Sequence, residues 1–268
     1  MQLLQSSLKV FLLIGMAFWL AGCLPVEEEE EVSVSAPATS WYKDADGDTY
    51  GDPGTEIVGD QPDLSWVEDN TDCDDTNANA NPSELETADR VDNDCDGEVD
   101  NGFKYAFVTS SAPTGNLGGL AGADTICQNL ADAAVPALPA GTYTAWLSSS
   151  LEDARDRVTD DQSNTFTYVN TGGVGIAAGF LSLVDGGLDS SIRFDESSTL
   201  VAGVTEVWTD TNVDGTSFSG GTVSCKDWTY QDEHDFGYYG SSQSVGSQWT
   251  LVNGQDCEQF KRLYCIQK

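Results

Sequence analysis

The chain has 268 residues, with 45 Asp and Glu against 11 Lys and Arg, a single histidine and a formal charge of −34. Such a chain has no basic stripe with which to neutralise phosphates, which excludes nucleic acid as a partner. A lone histidine also argues against imidazole-centred catalysis and against a histidine-built metal site.

The first 23 residues predict a targeting segment that stands outside the fold. Lys9 supplies the positive start, and residues 10–20 form an apolar core too short for a span of about 20 residues. The core runs into Leu20-Ala21-Gly22-Cys23, which resembles a bacterial lipobox. That resemblance implies a lipidated Cys23 (a palmitate-type anchor) as the new N-terminus and a membrane as the first partner. The plainer alternative is an ordinary signal peptide with a chance cysteine. Leu24, where an aspartate would signal inner-membrane retention, resembles outer-membrane sorting. Residues 24–40, with Glu27 to Glu31 and then Ser, Ala, Pro and Thr, read as a solvated tether.

Residues 41–103 carry 20 acidic residues against Lys43 and Arg90. Self-repulsion opposes compaction there, so the segment is expected to fold poorly without cations. Its pattern is two aspartate ladders, Asp44-Ala45-Asp46-Gly47-Asp48-Thr49-Tyr50-Gly51-Asp52 and Asp92-Asn93-Asp94-Cys95-Asp96-Gly97-Glu98-Val99-Asp100. Calcium takes about six to eight oxygens at roughly 2.3–2.6 Å, and such loops supply them from places 1, 3 and 5, a main-chain carbonyl at 7, and place 9. The expected ligands are Asp44, Asp46, Asp48, Tyr50 (by its carbonyl) and Asp52 in the first ladder. In the second they are Asp92, Asp94, Asp96, Glu98 (by its carbonyl) and Asp100. Gly97 stands at the tight-turn place 6, where the first ladder has Thr49. Asp74 and Asp75 are expected to complete one cage, though spacing does not say which.

Cysteine counting adds a constraint. With Cys23 assigned to lipid, six remain, and six cysteines allow fifteen pairings. Two lie before Gly102 and four after it, so Cys73–Cys95 is expected within the acidic segment of an exported protein.

The acidic segment resembles a metal-binding repeat of bacterial surface proteins, named after a copper-repressible outer-membrane protein. Trp41-Tyr42-Lys43-Asp44-Ala45-Asp46-Gly47-Asp48, Asp72-Cys73-Asp74-Asp75 and Val91-Asp92-Asn93-Asp94-Cys95-Asp96-Gly97 carry the resemblance. Relatives usually have four cysteines; here Gln61 and Ala88 stand near two of those places. The family name implies copper for some relative, but the segment has neither histidine nor methionine, and hard oxygen donors favour calcium. Gln61-Pro62-Asp63, a sugar-binding tripeptide when found in a lectin core, reads as a surface turn.

Residues 104–268 suit one α+β domain. Residues 104–109 predict a strand, 120–134 a helix with Leu120, Ile126, Cys127, Leu130 and Ala134 on one face, and 143–147 a strand. A short helix is expected over 151–158 with Ser150 as N-cap, then loops broken by apolar runs. Late strands are expected at 207–209, 248–252 and 262–266.

Gly122-Ala123-Asp124-Thr125-Ile126-Cys127, Gly141 to Ser149, Val207-Trp208, Cys225-Lys226-Asp227-Trp228, Cys257 and Leu263-Tyr264-Cys265-Ile266 resemble the endostatin-related branch of the C-type lectin-like fold. The same pattern, preceded by Gly115-Asn116-Leu117-Gly118-Gly119, marks an uncharacterised domain of bacterial lipoproteins. The resemblance implies Cys127–Cys265 and Cys225–Cys257; the alternative is Cys127–Cys225 with Cys257–Cys265. Trp249-Thr250-Leu251-Val252-Asn253 lacks the Trp-Asn-Asp strand of calcium-dependent sugar binding, and endostatin's zinc histidines have no counterpart. Tyr230, Tyr238 and Tyr239 are the expected accessible aromatics for a glycan or extracellular protein ligand. Trp208 and Trp228 are expected to pack the core. His234 reads as an exposed loop residue.

No catalytic constellation emerges. The sequence therefore predicts a non-enzymatic lipoprotein of the outer membrane, in which a calcium-bound, irregular, disulfide-linked acidic module (41–103) presents a C-type lectin-like domain (104–268). A copper-scavenging protein and a secreted hydrolase are the alternatives.

Overall fold

The computed structural model describes residues 37–158, 165–219 and 224–268. The leader, Cys23 and the tether up to residue 36 lie outside the described residues. Residues 39–268 form one compact unit of mixed helix and strand.

The acidic segment is less irregular than its composition suggests. Strands β1 (Ser40–Lys43), β2 (Asp52–Val58) and β3 (Trp66–Val67) form an antiparallel sheet in the order β2-β1-β3. The first ladder is the connection from β1 to β2. Gln61, Pro62 and Asp63 are exposed, and Asp63 accepts a hydrogen bond from the Ser65 amide at 2.8 Å, so the tripeptide is a surface turn.

The second half is organised by a five-stranded mixed sheet. It contains β4 (Phe103–Val108), β5 (Tyr143–Ala145), β6 (Thr167–Asn170), β7 (Gly175–Ala177) and, at the far end of the chain, β11 (Tyr264–Gln267), in the order β5-β11-β4-β6-β7. The first and last strands are neighbours, with Cys265 opposite Phe107. Alternation sends successive side chains to opposite faces. Ala106, Val108, Tyr264 and Ile266 enter one core with Trp146, Phe180 and Trp249; Tyr105, Phe107 and Cys265 enter the other with Leu147, Trp208 and Trp228.

Helix α1 (Gly119–Asp132) covers the second face through a stripe of small residues, Ala123, Cys127 and Ala131, while Leu120, Ile126 and Leu130 are only partly buried. Cys127–Cys265 bonds it to β11, and Cys225–Cys257 closes the late loops. The buried Arg157 donates to the carbonyls of Ala145 and Leu147 and to both carboxylate oxygens of Asp124, tying α1 to β5.

Two expected elements differ. The helix over 151–158 shortens to α2 (Ala154–Arg157). Ser150 does not cap it; its amide and hydroxyl both donate to Asp227 at 2.8 Å. Ser148 Oγ takes the Ala154 amide instead, and Ser149 Oγ those of Leu151 and Glu152. Residues 248–252 are no strand. Ser247–Trp249 is a 3₁₀ turn that drives Trp249 into the core, 5.1 Å from Trp146 between ring centroids. The strand there begins later, as β10 (Asn253–Asp256), and pairs with β9 (Phe236–Ser241), which also carries β8 (Glu206–Trp208). A four-residue helix, α3 (Phe180–Leu183), adds Phe180 and Leu183 to the first core.

The start of α1 generates a test. A Cβ built on Gly122 would stand 2.0 Å from the Leu117 carbonyl oxygen. Alanine is favoured over glycine in a helix by about 1 kcal/mol. The expected sign is nevertheless reversed: Gly122→Ala should destabilise by about 1–3 kcal/mol, the usual range for overpacking, read from the urea midpoint.

Candidate metal centre

The two ladders fold into the same loop. In the first, the Thr49 amide donates to Asp44 Oδ2, Asp48 to Asp46 Oδ1 and Tyr50 to Asp48 Oδ1, at 3.2, 3.3 and 2.8 Å. In the second, Gly97 donates to Asp92 Oδ2, Asp96 to Asp94 Oδ1 and Glu98 to Asp96 Oδ1, at 3.0, 3.2 and 2.8 Å. Both loops need positive φ at their fourth and sixth places: Gly47 (90°) and Thr49 (85°), then Cys95 (57°) and Gly97 (93°). Glycine occupies the fourth place in one ladder and the sixth in the other. The side chains at the remaining places, Thr49 and Cys95, adopt a backbone that L residues enter only at a cost.

Each loop gathers carboxylates into a cage. In the first cage, Asp44, Asp46 and Asp48 bring oxygens within 4.8 Å of one another, and Asp46 does so again with Asp72 and Asp75. The second cage joins Glu86, Asp92 and Asp94 within the same distance. Asp46 Oδ2 and Asp72 Oδ2 in the first cage, and Glu86 Oε2 and Asp92 Oδ1 in the second, are buried oxygens without a hydrogen-bond partner. Buried acceptors are normally satisfied, so four orphans distributed over two cages fit cations as the missing partners. Burial first, and then neighbouring carboxylates, hold Asp46 and Asp72 above the ordinary carboxylate range. Burial does the same at Glu86.

The expected ligands divide. Asp44, Asp46, Asp48, Asp75, Asp92 and Asp94 come together, and Asp72 and Glu86 join them. Asp52 is turned to the start of β2, where it takes the Gly54 amide at 2.7 Å. Asp74 takes the Thr76 hydroxyl at 2.7 Å. Asp96 takes Asn101 Nδ2 at 2.6 Å and the Glu98 amide. Tyr50 and Glu98 stand at place 7 of their loops, where the expected donor is the main-chain carbonyl and not the side chain. Asp100 is buried, and other partners hold its carboxylate. It receives the amides of Asp89 and Arg90 at 3.1 and 3.0 Å and the Tyr105 hydroxyl at 2.8 Å. The ladder spacing that suggested Asp100 cannot register that competition. Asp72 was legible as the leading aspartate beside a cysteine. Glu86, six residues before its ladder, had no such signal.

The cages are connected. Asp48 Oδ2 takes Asn81 Nδ2 at 2.8 Å, the Asn81 amide donates to the Asn93 carbonyl at 2.9 Å, and the Asn93 amide donates to Glu86 Oε1 at 2.6 Å. Asn81 and Asn93 are both buried. The Cys73–Cys95 bridge runs alongside, next to Asp72 at one end and Asp94 at the other. Because both thiols are in this bond, neither is available as a ligand.

The three aromatics expected to be accessible make separate contacts. Tyr230 lies under the Lys226 ammonium at 3.8 Å, Tyr238 packs edge-on to Phe218 at 4.7 Å, and Tyr239 lies under Lys261 at 4.1 Å. Trp208 and Trp228 are wholly buried, 5.8 Å apart between centroids. The His234 ring is exposed and meets Asp232 at 2.8 Å.

Residues 72–101 match the model of a family of metal-binding motifs, Cu-binding MopE. The match begins at Asp72 and takes in the whole second cage. No curated protein matches the chain.

Removing the connection tests its weight. Asn81→Ala takes a donor from Asp48 and the acceptor from the Ser83 amide. Leaving buried groups unpaired costs about 1–3 kcal/mol, so the urea midpoint should fall accordingly while the far-UV spectrum is retained.

Proposed function

We propose that this protein is a non-enzymatic, lipid-anchored surface protein whose acidic segment binds calcium and whose remainder is a C-type lectin-like, endostatin-related recognition domain. The observation that carries the calcium reading is the second cage, within the matched motif. Its three carboxylates offer only oxygen, and two of those oxygens are buried without partners. Oxygen donors suit calcium, whereas copper is held best by imidazole or sulfur. A bound ion would neutralise the mutual repulsion of these side chains, so binding free energy becomes folding free energy.

The recognition reading is supported by the adjacency of β4 and β11, the bridge from α1 to β11 and the closure of the late loops by Cys225–Cys257. Its ligand would be a glycan or an extracellular protein, met by the faces around Tyr230, Tyr238 and Tyr239. The lipid anchor at Cys23 and outer-membrane placement rest on the lipobox. The non-enzymatic reading rests on the scarcity of imidazole, since the chain has one histidine.

The second reading is copper scavenging, favoured by the name of the matched family. The two separate by experiment. Saturation at about a hundred times Kd stabilises by about 2.7 kcal/mol, or roughly 5–10 °C for a unit of this size. Chelator should therefore lower the melting temperature of the full chain by about that much, and calcium, but not copper(II), should restore it. Glu86→Gln should reduce the calcium response. An unchanged melting temperature in excess chelator would refute the calcium reading, and stoichiometric copper in protein from its native host would establish the alternative.

A further inference from the structure

Two cavities in the second half of the chain share one wall. The larger, of about 730 Å³, lies among α1, β5, α2 and the turn at 216–217. The smaller, of about 430 Å³, runs from the same wall to the start of α1 and Asp227. Asp124, Ser149, Leu151, Glu152 and Arg157 line both, so the two form one cleft. Cavities of roughly 300–1,000 Å³ are the size of ligand sites. We propose that this cleft binds a basic segment of a partner protein. A lysine or arginine head would meet the carboxylates of Asp124, Glu152 and Asp156, with its aliphatic stem on Leu151. This rests on the recognition reading and deepens it, by naming the partner's chemistry and a contact region on residues other than the three tyrosines.

The shared wall already holds one guanidinium. The side chain of Arg157 is 7 % exposed and stands 2.6 Å from Asp124 and 3.5 Å from Glu152. Its Nη1 donates to the carbonyls of Ala145 and Leu147 and its Nη2 to Asp124, so its donors are spent within the fold. The carboxylates keep an open side: Asp124 is 37 % exposed and Glu152 59 %. Asp156 is exposed and pairs with no cation among the described residues. The larger cavity sets four carboxylates against Arg157 and Lys268, and the smaller sets three against Arg157. A wall rich in charged acceptors, whose own guanidinium is committed, favours a ligand that brings donors and positive charge. The chain's formal charge of −34 would steer such a ligand towards it.

Two further observations go beyond acidity. Ser149, 5 % exposed, lines both cavities. Its Oγ accepts the amides of Leu151 and Glu152 at 3.1 and 3.2 Å, while its own proton meets no acceptor among the described residues. Buried polar groups are normally satisfied, and a peptide carbonyl lying in the cleft would take that proton. Leu151, in the shared wall, is 87 % exposed. Lysine and arginine carry their charge at the end of an aliphatic stem that lies readily along apolar surface. An exposed leucine beside these carboxylates therefore fits a basic side chain better than a bare ion, which has no stem to cover it.

The test separates the cleft from bulk charge. A fluorescein-labelled hexa-arginine peptide is titrated into full-length protein at physiological salt and in excess calcium, and its anisotropy is read. Glu152→Gln with Asp156→Asn should weaken binding about tenfold, the scale of two such charge pairs. Glu233→Gln with Glu258→Gln removes the same charge from exposed residues that line neither cavity, and should leave binding nearly unchanged. Leu151→Ser keeps the net charge and should weaken binding about threefold through lost apolar contact. Should the cleft pair lose its far-UV spectrum, Leu151→Ser is read alone. Equal weakening by the two charge pairs, no effect of Leu151→Ser, or a wild type that does not bind the peptide overturns the cleft. The recognition reading then stands if a glycan array finds a ligand that Tyr238→Ala releases, and falls with the cleft if it finds none.

Discussion

Carboxylates crowded without counter-charge govern the first half of this protein. The chain places 20 acids in residues 41–103 and folds several of them to within 4.8 Å of one another. Coulomb repulsion at that range is strong wherever water is excluded. The main-chain amides of the two ladders lower the cost by pointing at the carboxylates, but an amide is a partial charge. The loops hold this geometry at the further cost of positive φ at Thr49 and Cys95.

The acidic half is also tied to the sheet behind it. Arg90, one of only two basic residues in its segment, sends its guanidinium to the carbonyls of Pro136 and Thr171 and to the Ser198 hydroxyl, at 3.0, 3.0 and 2.7 Å. Its amide donates to Asp100, which also receives the hydroxyl of Tyr105 from β4. Gly173 approaches so closely that a Cβ would meet the Ala88 carbonyl oxygen at 2.7 Å. Residues 86–101 therefore serve two ends: Glu86, Asp92 and Asp94 face a cage, while Arg90 and Asp100 face the sheet.

Several features were legible because they are local or periodic. The Asp-x-Asp-x-Asp spacing announces loops that converge carboxylates, and the aromatic and β-branched run through 104–109 announces a strand. Features set by competition were not. Ser150 looks like a cap, yet Asp227 claims it from 77 residues away. The apolar run at 248–252 looks like a strand, yet filling the core with Trp249 is worth more than extending the ladder. Asp100 looks like a ligand by counting, yet a tyrosine hydroxyl and two amides hold it elsewhere.

From the sequence alone came the strong acidity, the two ladders, the oxygen-only character of the donors and the expectation that Cys73 and Cys95 pair within the acidic segment. These are properties of composition and short spacing, which the chain carries whether folded or not. Tertiary structure alone decided which carboxylates share a cage, that Asp72 and Glu86 close them, and which of the two open pairings the late cysteines take, Cys127 with Cys265 and Cys225 with Cys257. Those choices depend on which distant segments are brought together and on which acceptor a donor can reach, and neither is encoded in local spacing.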